Sequence, residues 1–190
     1  SLLIGKIGLD LAWAGIRELV DTGATAEQLE EITSTISGVE GVEAYHDLRT
    51  RRMGQRLLVE VHVLVGSQVT VSEGHMTGDR VHAELMRNHP YISEVLVHVD
   101  PEDDASHHEK TILPSREELL RRLEQRWQGL DMKLPVERVN FHYLKGVIDV
   151  EVILPLESVH DLEGARQLAR ELAEACRQEQ HIGEVDVLFR

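Results

Sequence analysis

From Leu57 to Val65 the chain places valine at 59, 61, 63 and 65, with Glu60 and His62 between them. Alternation with a period of two is the mark of a strand with one buried face. Glu94 to Asp100 repeats the pattern. Val95, Val97 and Val99 share one side, and Leu96, His98 and Asp100 share the other. Val42 to Arg52 reads as a further strand, joined to 57–65 by a turn at Gly54. Helical spacing takes over elsewhere. Leu29, Ile32 and Ile36 lie on one face of a helix that opens at the capping box Thr25-Ala26-Glu27-Gln28 and runs to about Ser37. Ser72 to Asn88 predicts a second helix, stopped by His89-Pro90 because a residue before proline avoids the helical region. The order is helix, strand, strand, helix, strand.

After the polar stretch Glu102-Asp103-Asp104 and Ser106-His107-His108, the same order returns. Ser115-Arg116-Glu117-Glu118 is a capping box opening a helix to about Gly129. Val136 to Tyr143 and Val147 to Leu154 read as strands around Lys145-Gly146. Leu162 to Gln178 is a helix, and Glu184 to Phe189 closes as a strand. This is an internal repeat of about 90 residues. Val59-Glu60-Val61 is aligned with Ile148-Asp149-Val150, and Ile92-Ser93-Glu94-Val95 with Ile182-Gly183-Glu184-Val185. The fold class expected is α+β, with two tandem α-β-β-α-β domains at 25–103 and 104–190.

Residues 1–24 form a separate segment, an apolar helix ending near Asp21-Thr22-Gly23. Lys6, Asp10, Arg17 and Glu18 interrupt it, so it lacks the roughly 20 clean apolar residues of a complete membrane span. It has no signal-peptide cleavage pattern.

Composition narrows the function. The chain of 190 residues carries 20 Lys+Arg against 34 Asp+Glu, a formal charge of −14. Such a chain repels phosphates, and with aromatics at only 4% it offers few stacking platforms, so no nucleic-acid partner is expected. A single cysteine, Cys176, excludes an internal disulfide and a thiolate cluster, and it sits at a core helix position. Glycine-rich phosphate loops, G-x-S-x-G and H-E-x-x-H are absent, so the chain is not read as an enzyme.

The compositional oddity is 11 histidines among many carboxylates. Strand alternation puts His98 and Asp100 side by side on the face opposite the valines. It puts His62 and Glu60 on the open face of the neighbouring strand. His46, beside Asp47, opens the remaining strand, and His75 lies in the first turn of the helix that follows. Three or four imidazoles with a carboxylate make a ligand set for Zn²⁺ or a similar divalent cation. His82 and His89 read as surface residues, and His142, His160 and His181 as structural ones. His107-His108 reads as solvated linker, and Arg49-Thr50-Arg51-Arg52 as a basic run paired with the excess carboxylates.

Ala44-Tyr45-His46-Asp47-Leu48-Arg49-Thr50-Arg51, Val61-His62-Val63, Glu73-Gly74-His75-Met76 and Val97-His98-Val99-Asp100-Pro101 occur in order and at family spacing. Together they resemble the cytoplasmic domain of cation diffusion facilitator transporters, over about residues 1–103. The resemblance implies a ferredoxin-like, metallochaperone-like sheet that forms a homodimer and binds zinc at the dimer interface through His46, His62, His75, His98 and Asp100. It implies attachment to the protein's own transmembrane domain, on the cytoplasmic side of the cell membrane. Residues 1–24 then correspond to the end of the sixth transmembrane helix, with Asp21 as its terminal acidic residue. The second repeat lacks the ligands. Its counterparts are Glu151 for His62, Ala165 or Arg166 for His75, Leu188 for His98 and Arg190 for Asp100, which makes it a degenerate, metal-free copy. Two other readings stand beside the transporter: a free-standing metal chaperone or buffer, and a ligand-sensing regulatory domain of an enzyme.

Overall fold

The computed structural model describes residues 2–19, 23–103, 112–128 and 135–190. Asp21, His107 and His108 lie outside these. The chain divides into two compact units, residues 1–107 and 108–190.

The first unit begins with helix α1 (Leu2–Leu19). Leu3, Ile4, Ile7, Leu9, Leu11 and Trp13 are all exposed on it. Among the described residues, no helix is long and apolar enough to cross a membrane. Helix α2 (Ala26–Ser37) opens on the expected reciprocal cap between Thr25 and Gln28. Strands β1 (Ala44–Met53) and β2 (Arg56–Leu64) follow, then α3 (Val71–Asn88) and β3 (Ile92–Asp100). The sheet order is β1-β2-β3, antiparallel between the first pair and parallel between the second. The β2–α3–β3 crossover allows the parallel pairing, because parallel neighbours need a long connection.

The valine alternation decides which face is covered. Val59, Val61 and Val63 are at most 2% exposed. They pack with Ile32 and Ile36 of α2, Val81 and Leu85 of α3, and Ile92 and Val95 of β3. Each fully buried aliphatic side chain contributes roughly 1.5–3 kcal/mol. Helix α3 comes close enough that a Cβ on Gly78 would stand 2.9 Å from Val99 Cγ2, and one on Gly74 3.3 Å from Val99 Cγ1. Glycine at these two positions therefore lets the helix lie against the sheet. The face carrying His62 and His98 is the one α2 and α3 leave uncovered.

The second unit repeats the order with α4 (Arg116–Trp127), β4 (Arg138–Leu144), β5 (Val147–Leu154), α5 (Leu162–Arg177) and β6 (Ile182–Phe189). Its sheet order is β4-β5-β6. A separate core joins Leu119, Leu123 and Trp127 to Ile148, Val150, Val152, Leu154, Leu168 and Leu172. Ser115 accepts the Glu118 amide at 3.3 Å, while the Glu118 carboxylate pairs with Arg122. The capping box expected there is therefore present in its Ser115-to-amide half.

Strand register corrects the alignment of the two repeats. The Leu57 amide donates its β3-side hydrogen bond to the Tyr91 carbonyl, and the Ile148 amide donates the matching one to the His181 carbonyl. The pairs Val59↔Val95, Glu60↔Leu96 and His62↔His98 then correspond to Val150↔Val185, Glu151↔Asp186 and Ile153↔Leu188. Val59-Glu60-Val61 thus matches Val150-Glu151-Val152, and the counterpart of His62 is Ile153 rather than Glu151. A slip of two residues leaves a period-two pattern unchanged, which is why apolar alternation alone did not reveal it.

Candidate metal centre

Three imidazoles form one row across the open face of the first sheet. His46 of β1 lies directly opposite His62 of β2, and His62 lies opposite His98 of β3. Neighbouring strands are spaced about 4.8 Å apart, so rings on adjacent strands must meet. The His46 and His62 centroids are 5.0 Å apart, and the His62 and His98 rings stack at 4.3 Å with 18° between their planes.

The position of His46 depends on an irregularity. The β1–β2 register shifts between His46 and Arg49, where Asp47 adopts φ 48°. The extra residue of such a bulge re-aims the side chains beside it. β4 pairs with β5 without a register shift.

Carboxylates complete two groups. Asp100 Oδ2 lies 2.7 Å from His62 Nδ1 and 3.3 Å from His46 Nε2. Glu60 Oε1 lies 3.5 Å from His98 Nε2. His46, His62 and Asp100 each offer a ligand atom within 4.8 Å of the other two, and so do Glu60, His62 and His98. His62 belongs to both groups. The second contains a residue, Glu60, that the sequence reading placed on this face without naming it a ligand. Its signal was its position two residues before His62.

His46 supplies the test of fit. Its side chain is only 15% exposed, and neither ring nitrogen has a partner with hydrogen-bond geometry, the nearest carboxylate oxygens being those of Asp100 and, at 3.9 Å, Asp103. Buried polar atoms in folded proteins are almost always satisfied, so this imidazole and the Asp–His pair it faces fit the donor set of a cation. Nitrogen and carboxylate donors together suit zinc and its first-row neighbours.

Of the five residues read as ligands, the fold brings together His46, His62, His98 and Asp100. His75 stands apart. It lies on α3, the helix covering the valine face, with its side chain 74% exposed and Nε2 3.4 Å from Asp79.

His89 also departs from the surface reading, because it is only 5% exposed. Its Nε2 lies 2.8 Å from Thr35 Oγ1 and its Nδ1 3.1 Å from the Tyr91 hydroxyl. The same hydroxyl donates to Glu31 at 3.1 Å. Burial, with Glu31 adding to it, pushes the Tyr91 hydroxyl up to about 12. This network ties α2 to the α3–β3 connection and explains why the helix stop is a buried histidine. His82, His160 and His181 are exposed. His142 lies 3.8 Å from Glu151, and its buried Nε2 has no hydrogen-bond partner. Cys176 is fully buried, which raises its thiol above the usual range. Arg49 pairs with Asp47 at 3.4 Å and Arg52 donates to Gln28 at 2.6 Å.

In the second unit the positions equivalent to His46, His62, His98 and Asp100 hold Arg138, Ile153, Leu188 and Arg190. Counting five residues from the helix caps Thr70 and Asp161 pairs His75 with Arg166. Of the ligand positions, that of Glu60 alone keeps a donor to a cation there, as Glu151.

The chain is similar to known proteins. Residues 24–102 match the family model for the cation efflux protein, cytoplasmic domain. Metal tolerance protein C1 of Arabidopsis thaliana is 32% identical over 185 residues, covering 92% of this chain and therefore parts of both units. Cation-efflux pump FieF of Escherichia coli is 29% identical over 93 residues, covering 49% of the chain. The chain spans 39% of the first relative's length and 31% of the second's. A nickel form of a MamM CTD variant covers 42% of this chain and all of its own at 22% identity, with a TM-score of 0.40. Residues 24–102 thus match the cytoplasmic domain of the cation efflux proteins, the family that the sequence resembles.

Proposed function

We propose that the first unit is the metal-sensing cytoplasmic domain of a divalent-cation efflux transporter and that it holds Zn²⁺ or a similar ion on its open sheet face. His46, His62 and Asp100 form one ligand group and Glu60, His62 and His98 the other. The observation that carries this reading is the His46 imidazole, whose ring nitrogens face the Asp100 and Asp103 carboxylates without making a hydrogen bond, beside the His62–Asp100 pair. His75 is exposed and remote from its own chain's cluster, so it serves a second copy of the domain in a homodimer. Residues 1–24 continue into a membrane part, and the domain lies at the cytoplasmic face of the cell membrane.

The mechanism follows from charge. Two chains of formal charge −14 repel each other. An ion held at the open face offsets carboxylate charge there and offers a coordination position to His75 of the second copy. The bound state then favours closely apposed first units. A ligand shifts such an equilibrium only by its differential affinity for the two arrangements, and a ligand atom supplied by the second copy provides that difference. Small-angle scattering of the chain in chelator and in Zn²⁺ tests this. The radius of gyration per dimer should fall with metal bound, and an unchanged value with metal demonstrably bound would reject the sensing role.

A further inference from the structure

The two units carry opposite solutions on equivalent sheet faces. Where the first has His46, His62, His98 and Asp100, the second has Arg138, Ile153, Leu188 and Arg190. Residues 1–103 contain 8 Lys+Arg against 17 Asp+Glu, whereas residues 104–190 contain 12 against 17. The second unit therefore carries fixed positive charge at the places where the first would need a metal ion.

That charge is arranged along the face. The row at one end is Arg138–Ile153–Leu188, with Arg190 just beyond. Arg138 and Arg190 are exposed, Arg190 pairs with Glu137 at 3.1 Å, and Leu188 is 48% exposed. The middle row is Asn140–Glu151–Asp186, with Asn140 donating to Glu151 at 2.9 Å. The far row pairs His142 with Asp149, whose Oδ1 accepts the Glu184 amide at 2.7 Å. The face is thus basic and apolar at one end and acidic toward the other, with exposed Asp186 and Glu184 on the acidic part.

A surface polarised in this way is complementary to itself. A two-fold axis lying between the stacked sheets, parallel to them and perpendicular to the basic-to-acidic direction, lays the arginine end of one copy over the acidic rows of another, and the contact is isologous. We infer that the second unit pairs with the second unit of another copy of this chain through its open sheet face, without metal. The unit then holds two chains together permanently, so that the first units meet as neighbours at high effective concentration and respond to metal by closing rather than by encounter. The inference rests on the proposed function only for the role of the first units.

The test uses the full chain. In chelator, sedimentation equilibrium should give a dimer. Arg138→Glu with Arg190→Glu should weaken that dimer at least tenfold, with circular dichroism and melting unchanged. Adding Glu184→Arg and Asp186→Arg to that variant should restore it. A monomeric parent chain in chelator, a double variant that dimerises like the parent, or a charge-swapped variant that stays monomeric would each overturn the inference. Zn²⁺ given to the double variant separates the two proposals. Metal-driven dimerisation supports the role of the first units, and its absence refutes that role while leaving the second-unit contact standing.

Discussion

Replacing His62 with alanine is expected to abolish both metal positions in one step. His62 is the only residue shared by the two ligand groups. It also holds Asp100 through the 2.7 Å contact. Losing a partner that merely orients a ligand costs about 10–100-fold in metal affinity, so losing the shared ligand should exceed about 100-fold. Isothermal titration with Zn²⁺ measures this. His98→Ala is the informative contrast, because it removes the Glu60–His62–His98 group and leaves His46, His62 and Asp100 in place. The account therefore expects a stoichiometry reduced by one ion for His98→Ala and no measurable binding for His62→Ala. Equal affinity in His62→Ala and the parent chain would show that the ion sits elsewhere.

The second large effect concerns stability. Leu85 is fully buried between α3 and the sheet, in contact with the Ile32, Ile36 and Val81 cluster. Leu85→Ala removes that packing and leaves a cavity, a change that costs about 2–5 kcal/mol. A domain of this size has a total stability of only about 4–12 kcal/mol, so its melting temperature should drop sharply. Zn²⁺ should recover part of the loss, because an ion that binds only the folded domain stabilises it by about 2.7 kcal/mol at a hundred times its dissociation constant. Thermal melts in chelator and in Zn²⁺ check both halves. The same melts on Leu85→Ala combined with His62→Ala should show the drop and no recovery.

Most of the fold was legible because it is written in two incompatible periods. Valine at every second position fixed β2 and β3 together with their buried face, and the Thr25 capping box fixed the start of α2; the Thr70 cap of α3 went unread. Because His62, His98 and Asp100 lie on the off-phase of those strands, alternation put them opposite the valines, and the β2–β3 register then brings His62 against His98. The position of His46 did not follow from alternation, since it depends on a bulge at Asp47 that no apolar pattern marks. Nor did the separation of His75 from the cluster, because a helix laid on the valine face is set by the tertiary contact of Gly74 and Gly78 with Val99. The alignment of the repeats failed for β5 because a two-residue slip preserves every apolar position. The burial of His89 was hidden because its partner Thr35 comes from α2, far away in the sequence.

The central claim is that imidazoles from three strands, with the Asp100 and Glu60 carboxylates, form two adjoining ligand groups that share His62. Zinc-edge anomalous diffraction from Zn²⁺-soaked crystals addresses it directly. The account predicts a peak on the open face of the first sheet, about 2.0–2.2 Å from nitrogen and oxygen atoms of His46, His62 and Asp100. It predicts no peak on the equivalent face around Arg138, Ile153, Leu188 and Arg190. Density confined to other parts of the surface, with His46, His62 and Asp100 unmoved and ion-free, would contradict it.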